Sequence, residues 1–383
     1  MPTQSFAHPE VQRVAVVGLG SAGSSLHLPA LAGIPDVRLV AVVDPGEQRC
    51  SAVARQYSVP GFAGIEEMLA ATSPDIVIIA TPPSVHAVQC VQALQAGAHV
   101  LCEKPFVASL AEADQVMLAA DQSGRSVALN HEFREMPAFR SIREHVAGAD
   151  VLFTQAWQLI DLPTAAEAGW RGQMGHRTLY EAGVHLVDMV MAVYGECPVA
   201  VTATISDAGA AGNAADAVVA VTLEFSRGRI AQLVQNRLCK GERQYLELRV
   251  DTRDASWRAS FGGRARITAG LHRSTTPHFR VELGVSGIAW KETGATRKIL
   301  ARNPKDPGMR ATRTVLESTF RAFRTGEAPP TSAALARDIL AVTVASYASA
   351  EQGRRIALDA ETLQELRTIR LGADQGASVR TGS

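Results

Sequence analysis

Three short stretches of the chain hold residues whose types and spacing suit dinucleotide binding and proton transfer. Gly18-Leu19-Gly20-Ser21-Ala22-Gly23 directly follows an apolar run, Val11–Val17, and opens a helical pattern. In such a loop the first glycine permits the tight turn. The second lets backbone approach a pyrophosphate, and the third lets helix and strand pack closely. The helix N-terminus, with Ser21 and Ala22 in its first turn, supplies N–H donors and a partial positive charge. Asp44 ends the next apolar run, about 20 residues beyond Gly23, where a carboxylate takes ribose hydroxyls. A carboxylate there repels a 2′-phosphate. Pro45, Gly46 and Glu47 come next, and Arg49 lies on the helix beyond, so NAD is expected in preference to NADP, with NADP left open. A plain βα turn followed by a capping aspartate would read the same way.

Thr81-Pro82-Pro83-Ser84 follows the β-branched run Asp75–Ala80, with Ser84 placed to cap the next helix and His86 in its first turn. Glu103-Lys104-Pro105 follows the run Ala98–Leu101. Both loops fall at the carboxyl ends of expected parallel strands, where ligands bind in such sheets. Thr81, Pro82, His86, Glu103 and Lys104 therefore join Gly18, Gly20, Ser21, Ala22, Gly23 and Asp44 as expected cofactor contacts. Proline turns and a surface charge pair are the plainer alternatives.

Further on, Glu181 and His185 are four apart, on one face of an expected helix, and Asp188 lies on that face too. Removing hydride from a carbinol needs a base for the hydroxyl proton and a cation near the developing alkoxide. Histidine suits the first role and a buried lysine the second, with Glu181 orienting the imidazole or sharing substrate hydroxyls. A lone His185 could equally be a satisfied core residue.

The elements that must position these groups alternate at first. Strands at Val11–Val17, Val37–Val43, Asp75–Ala80, Ala98–Leu101 and Ser126–Leu129 are interleaved with helical patterns at Ser24–Ala32, Glu47–Tyr57, Ile65–Ala71, Ser84–Ala96 and Ser109–Ser123. That rhythm predicts an α/β unit: a doubly wound parallel sheet with helices on both faces. After residue 130 it changes. A helix at Pro137–Val146, a strand at Val151–Leu159 and a long helix at Thr178–Tyr194 precede four successive strands between Val199 and Asp251. Helices near Arg310–Arg324 and Ala333–Gln352 close the chain. Successive strands with helices grouped elsewhere predict an α+β domain on a large, mostly antiparallel open sheet. The expected division is residues 1–130, a dinucleotide-binding domain of Rossmann type, 131–372, a domain for substrate and oligomerisation, and 373–383, a disordered tail.

Composition narrows the function. Lys+Arg and Asp+Glu are both 38, without the basic excess of a dedicated nucleic-acid binder. No apolar run is long enough to span a membrane, and Met1–Glu10 has no signal-peptide core. The five cysteines are scattered without a CxxC pair, so neither disulfides nor a cysteine metal site is expected and a reducing cytoplasm fits.

Taken in order, GLGSAG, TPPSVH and EKP resemble the glucose–fructose oxidoreductase/inositol dehydrogenase/MocA (Gfo/Idh/MocA) family. His131-Glu132-Phe133-Arg134 with Pro137 resembles the entry to that family's second domain. Trp170-Arg171 precedes Glu181-Ala182-Gly183-Val184-His185, which is similar to its substrate motif D-x-G-x-H, and Ser349–Arg354 is similar to its final-helix signature. The likeness runs over roughly residues 12–358. It implies an NAD(P)-dependent oxidoreductase that moves a hydride between the nicotinamide and a secondary alcohol or ketone of a sugar-like, cyclitol or related polyol substrate. It implies Lys104 at the substrate and nicotinamide ribose and His185 as acid/base, with His131, Trp170, Arg171, Arg177 and Glu181 toward the substrate. It also implies a cis Lys104–Pro105 peptide and homodimers or homotetramers formed through the C-terminal sheet.

Two departures stand out. The family has Asp where this chain has Glu181, and a glycine run where it has Gly175-His176-Arg177. Bulky cations facing the substrate would favour an anionic one; facing solvent, they would not. Two other functions stay open: a redox-neutral glycosidase or epimerase that retains its NAD, and a dinucleotide-sensing regulator, which would need neither Lys104 nor His185.

Overall fold

A computed structural model describes residues 11–160, 169–208, 216–240, 244–262, 266–271, 277–282, 287–294 and 296–372. The expected disordered tail and residues 1–10 lie outside the described residues. The chain forms two compact units, one of 1–107, 112–131 and 308–336, the other of 108–111, 132–307 and 337–383.

The first unit is the expected parallel sheet, in the order β3-β2-β1-β4-β5-β6. Its strands are β1 (Gln12–Val17), β2 (Val37–Val43), β3 (Gly61–Phe62), β4 (Ile76–Ile79), β5 (His99–Cys102) and β6 (Val127–Leu129), all paired in parallel. Parallel strands require crossovers, and α1 (Leu28–Leu31), α2 (Glu47–Tyr57), α3 (Ile65–Thr72), α4 (His86–Gln95) and α5 (Leu110–Ser123) supply them. Strand order reverses beside β1, which pairs with both β2 and β4. The ends of β1, β2, β4 and β5, which carry Gly18, Asp44, Thr81 and Glu103, therefore lie along the carboxyl edge of one sheet.

The simple cut after residue 130 does not hold for Gly308–Ala336, which returns to the first unit. The reason is burial. Val315, Leu316, Phe320 and Phe323 of α8 (Pro307–Thr325) join Val14, Val16, Ile76 and Ile78 in one buried apolar cluster. Arg313 of the same helix donates to the carbonyls of Pro29 and Ala30 at 3.2 and 3.1 Å, closing the orphan carbonyls at the end of α1.

The second unit is built on a nine-stranded sheet, β16-β15-β12-β11-β7-β10-β9-β8-β17. The strands are β7 (Val151–Ile160), β8 (Ala200–Ser206), β9 (Val218–Glu224), β10 (Ile230–Asn236), β11 (Gln244–Thr252), β12 (Ser256–Gly262), β15 (Ile288–Thr293), β16 (Thr296–Arg302) and β17 (Ile356–Ala357). A separate hairpin pairs β13 (Arg266–Leu271) with β14 (Pro277–Glu282). Only β7 and β10 run parallel among the described strands of the large sheet. Burial alternates along β7: Thr154, Ala156, Gln158 and Ile160 are buried, whereas Phe153, Gln155, Trp157 and Leu159 are half-buried. Helices α6 (Pro137–Val146) and α7 (Val184–Tyr194) pack on the sheet. The long α9 (Ala333–Gln352) and short α10 (Ala360–Glu365) follow.

The strands beyond β11 and the short α10 go beyond the sequence expectation. Two expected helices also differ in kind. The helix after the glycine loop begins with a π-helical turn, Gly23–His27, and the expected helix at Thr178 is π-helical over Thr178–Gly183 before it becomes α7.

Candidate active site

Steric detail explains the glycine loop. Gly18 has φ +91°, and a Cβ there would lie 2.6 Å from the carbonyl oxygen of Ala80 at the end of β4. A Cβ on Gly23 would lie 2.0 Å from the Gly18 carbonyl oxygen, so only glycine lets the helix start this close to the strand. Gly20 is different. Nothing lies within 4 Å of where its Cβ would be, and the residue is exposed. Two glycines thus close the turn and one leaves room for a ligand against the backbone. These residues fit a dinucleotide pyrophosphate.

Asp44 sits behind this opening, 4% exposed. Its carboxylate accepts from the Leu19 N–H at 2.9 Å and the Gly46 N–H at 2.8 Å, and so ties the end of β2 to the glycine loop. Arg49 reaches back to it with both Nε and Nη2, at 2.9 and 2.7 Å. Burial pushes the Asp44 carboxyl up, but Arg49 and the two N–H donors outweigh it and hold the pKa below the ordinary carboxylate range. Arg49 lies on α2, as expected, and its guanidinium faces the carboxylate while remaining 54% exposed.

The two neighbouring loops are anchored by buried polar groups. His86 is fully buried, with Nε2 facing the Thr81 carbonyl at 2.8 Å and Nδ1 facing the Phe106 and Pro105 carbonyls at 2.9 and 3.1 Å. Burial lowers its pKa despite those carbonyls. His86 therefore fastens the Thr81-Pro82 loop to the loop after Glu103, a structural task rather than the expected cofactor contact. Ser84 is not the expected cap: it lies inside a 3₁₀ turn, Pro83–Val85, and α4 has no side-chain cap at its start. The Thr81 hydroxyl donates to Gln89 at 2.6 Å.

Glu103 is buried and accepts from Asn130 Nδ2 at 2.7 Å, with His27 Nε2 at 2.8 Å from the same oxygen. Its other oxygen accepts the Lys104 N–H at 3.1 Å. Burial opposes the charge, yet His27, Lys104 and Asn130 bring the pKa down to about 2. Glu103 is thus the anchor that joins the π-helical turn ending at His27 to the loop carrying half-buried Lys104. The Lys104–Pro105 peptide is cis. His131, which ends the 112–131 stretch of this unit, is buried.

In the second unit the structure gathers Trp170, Arg171, Arg177 and Glu181. Glu181 pairs with Arg171 through one carboxylate oxygen and with Arg177 Nε through the other, the latter at 3.2 Å. The Arg171 guanidinium lies 4.3 Å from the centre of the Trp170 ring. Arg177 is neither solvated nor an uncommitted cation, because its side chain is 2% exposed and paired. Arg177, from the departure Gly175-His176-Arg177, thus shares one carboxylate, Glu181, with Arg171.

An aspartate the sequence reading missed holds the segment. The buried carboxylate of Asp216 accepts the N–H groups of Arg177, Thr178 and Leu179 at 3.0, 2.7 and 3.3 Å and the hydroxyl of Tyr347. It satisfies the donors at the start of the π-helical turn from outside the element. His176 packs edge-on against Tyr347, with ring centres 4.4 Å apart, and burial lowers its pKa. Gly183 admits Gln235 from β10: a Cβ there would lie 2.5 Å from Gln235 Oε1 and 2.5 Å from Leu179 Cδ1.

His185 is 4% exposed, in the first turn of α7. Glu181 belongs to the π-helical turn that leads directly into α7, four residues before His185. Asp188 is buried and takes a two-pronged ion pair from Arg134.

Fold and loops together define a dinucleotide-binding Rossmann unit joined to an α+β unit. Family models agree in both halves: residues 12–131 match the oxidoreductase family with an NAD-binding Rossmann fold, and residues 144–258 match the GFO/IDH/MocA C-terminal domain. The chain belongs to the Gfo/Idh/MocA family. It is 26% identical over 201 residues to the 1,5-anhydro-D-fructose reductase of Ensifer adhaerens, covering 51% of this chain and 60% of that one. It is 27% identical over 198 residues to an NADP(+) scyllo-inositol 2-dehydrogenase of Bacillus subtilis, covering 50% and 54%. The alignments thus span little more than half of these relatives. In fold, an oxidoreductase of Agrobacterium radiobacter solved with NAD+, L-tartaric acid and magnesium superposes with a TM-score of 0.76 at 16% identity, over 91% of this chain and 98% of that one.

Proposed function

We propose that the protein is an NAD(P)-dependent oxidoreductase acting on a secondary alcohol or ketone of a sugar-like, cyclitol or related polyol substrate. The observation that carries this is the carboxyl edge of the first sheet, where an open glycine position, the buried carboxylate of Asp44 and the Lys104 loop anchored through Glu103 occur together. The anhydro-sugar and inositol relatives favour that substrate class.

Gly18, Gly20 and Gly23 would hold the pyrophosphate against the helix start, with Ser21 and Ala22 lending N–H groups and Asp44 taking ribose hydroxyls. A bound nicotinamide supplies the hydride acceptor or donor. Lys104, oriented by Glu103, stabilises negative charge on the substrate oxygen. His185 takes the carbinol proton on an imidazole nitrogen, or returns it in reduction. Glu181 organises Arg171 and Arg177 for substrate hydroxyls, and Trp170 backs Arg171. His131 helps shape the Lys104 loop.

Arg49 bears on cofactor choice. It neutralises the carboxylate expected to repel a 2′-phosphate and stands half exposed beside it. NAD is the proposed cofactor, and NADP is accepted with a smaller penalty than a lone Asp44 would impose. The half-buried sheet face bearing Phe153 and Trp157 is the proposed homodimer or homotetramer contact. Among the described residues no helix is long and apolar enough to cross a membrane. The cytoplasm remains the proposed compartment.

The test is a spectrophotometric screen of NAD+ and NADP+ reduction with myo-inositol, scyllo-inositol, D-glucose and methyl glucoside, and of NADH and NADPH oxidation with 1,5-anhydro-D-fructose. Net turnover with any of these supports the dehydrogenase. Substrate conversion without net cofactor change would favour the redox-neutral alternative.

A further inference from the structure

Two adjacent residues of a single 3₁₀ turn, Glu132–Glu135, engage two residues of α7 spaced one helical turn apart. Phe133 lies face to face with the His185 imidazole, with ring centres 3.9 Å apart and planes inclined by 10°. Arg134 forks onto Asp188 through Nε, at 3.0 Å, and through Nη2. Phe133 is itself backed by Phe261 of β12, at 5.5 Å and 52°. All of these side chains except Phe261, which is half-buried, are nine-tenths or more buried.

We infer that Phe133 and Arg134 are positioning residues for His185, a role that rests on the acid/base reading of that histidine. The physical argument is one of constraint. An imidazole has two soft torsions, and a stacked ring fixes the plane that the second would rotate. The planar guanidinium fork fixes both the distance and the direction of its carboxylate, which a lysine could not do. His185 and Asp188 are i and i+3 neighbours on α7, so the fork sets the rotation and height of the helix while the stack sets the ring. Together they hold the imidazole in one plane at one place along the helix. A proton-transfer group needs this, since misplacement by about 1 Å can cost on the order of 10²-fold in rate.

The test reads the imidazole directly. Protein with all 10 histidines ¹³C-labelled at Cε1 is prepared with NAD+, and the His185 signal is identified by its loss in His185→Gln. The stacked phenyl ring shifts that proton upfield. Phe133→Leu should return it toward the ordinary histidine position, and Phe133→Tyr should keep it upfield. Arg134→Lys should broaden or split it as the helix loses its fixed register, a second readout if Phe133→Leu does not fold. A His185 signal unchanged in Phe133→Leu, or in Arg134→Lys where Phe133→Leu does not fold, would overturn the inference. Activity of His185→Gln reports separately on the acid/base reading, so either idea can fall without the other.

Discussion

The glycine-loop region of the first unit and the Gly169–Tyr194 region of the second are built alike and held differently. Each passes through a π-helical turn into an α-helix, and each carries residues proposed to meet ligand. In the first, the decisive contacts are made by backbone: glycines admit carbonyl oxygens at close range, and the Asp44 carboxylate accepts N–H groups from Leu19 and Gly46. In the second, charged side chains pair with one another, and a carboxylate remote in sequence, Asp216, closes the turn. The first design leaves open surface at Gly20. The second pairs its charged side chains with one another.

If that contrast is right, removing Asp216 should do the most harm. Asp216→Ala strands several buried donors, and loss of one member of such a network costs about 3–5 kcal/mol. Urea unfolding should show it, and calorimetry should find NAD+ binding by the folded fraction unchanged. Glu103→Gln comes next, at about 1.5–3 kcal/mol for hydrogen bonds to a charged group. Its pH signature has a definite sign. The folded pKa, about 2, lies below the ordinary carboxylate value, so the stabilisation is present above pH ~4.5 and is lost as pH falls from there through the folded pKa. The variant should lose that part of the acid sensitivity; an unchanged acid limb would argue against the anchor.

Gly20→Ala separates room for ligand from room for folding. With nothing near the added methyl, the melting temperature should hold while NAD+ affinity falls about tenfold, or ~1.4 kcal/mol. Equal affinity would mean that the opening is not used. The smallest effect belongs to Arg49→Ala. An exposed ion pair is worth ~0.2–1 kcal/mol, so NADP+ should weaken by a few-fold relative to NAD+ in competitive titration. A rise in NADP+ affinity would remove Arg49 from the account of cofactor choice.

The same contrast decides what could be read from sequence. Glycine spacing encodes backbone geometry, so the turn at Gly18–Gly23 and the carboxylate directly after β2 were legible, as were the limits of Val37–Val43, Glu47–Tyr57 and Pro137–Val146 and the place of Ala333–Gln352. Side-chain networks depend on partners far along the chain. Asp216 follows a run of small residues that gives no hint of Arg177 or Tyr347, and Arg49 looked remote because its reach back to Asp44 is a matter of rotamer. The π-helical turns Gly23–His27 and Thr178–Gly183 each include a glycine, which does not by itself mark one helix type from another. Strands β15 and β16 carry Lys291, Arg297 and Lys298, which blur the alternation that marks a strand. The apolar stripe of α8 was visible, but not which unit it would cover. His27 had one available signal: a histidine a turn beyond the glycine loop, with Asn130 directly after β6.

Under the proposed function the first unit holds the cofactor and His185 of the second moves the proton. The most direct test compares the unmodified protein with His185→Ala by NAD+ calorimetry and by turnover on the same polyol panel across pH 6–9. The account predicts NAD+ affinity preserved and kcat lowered by roughly 10²–10⁴-fold. Near-full turnover by His185→Ala throughout that range would contradict it.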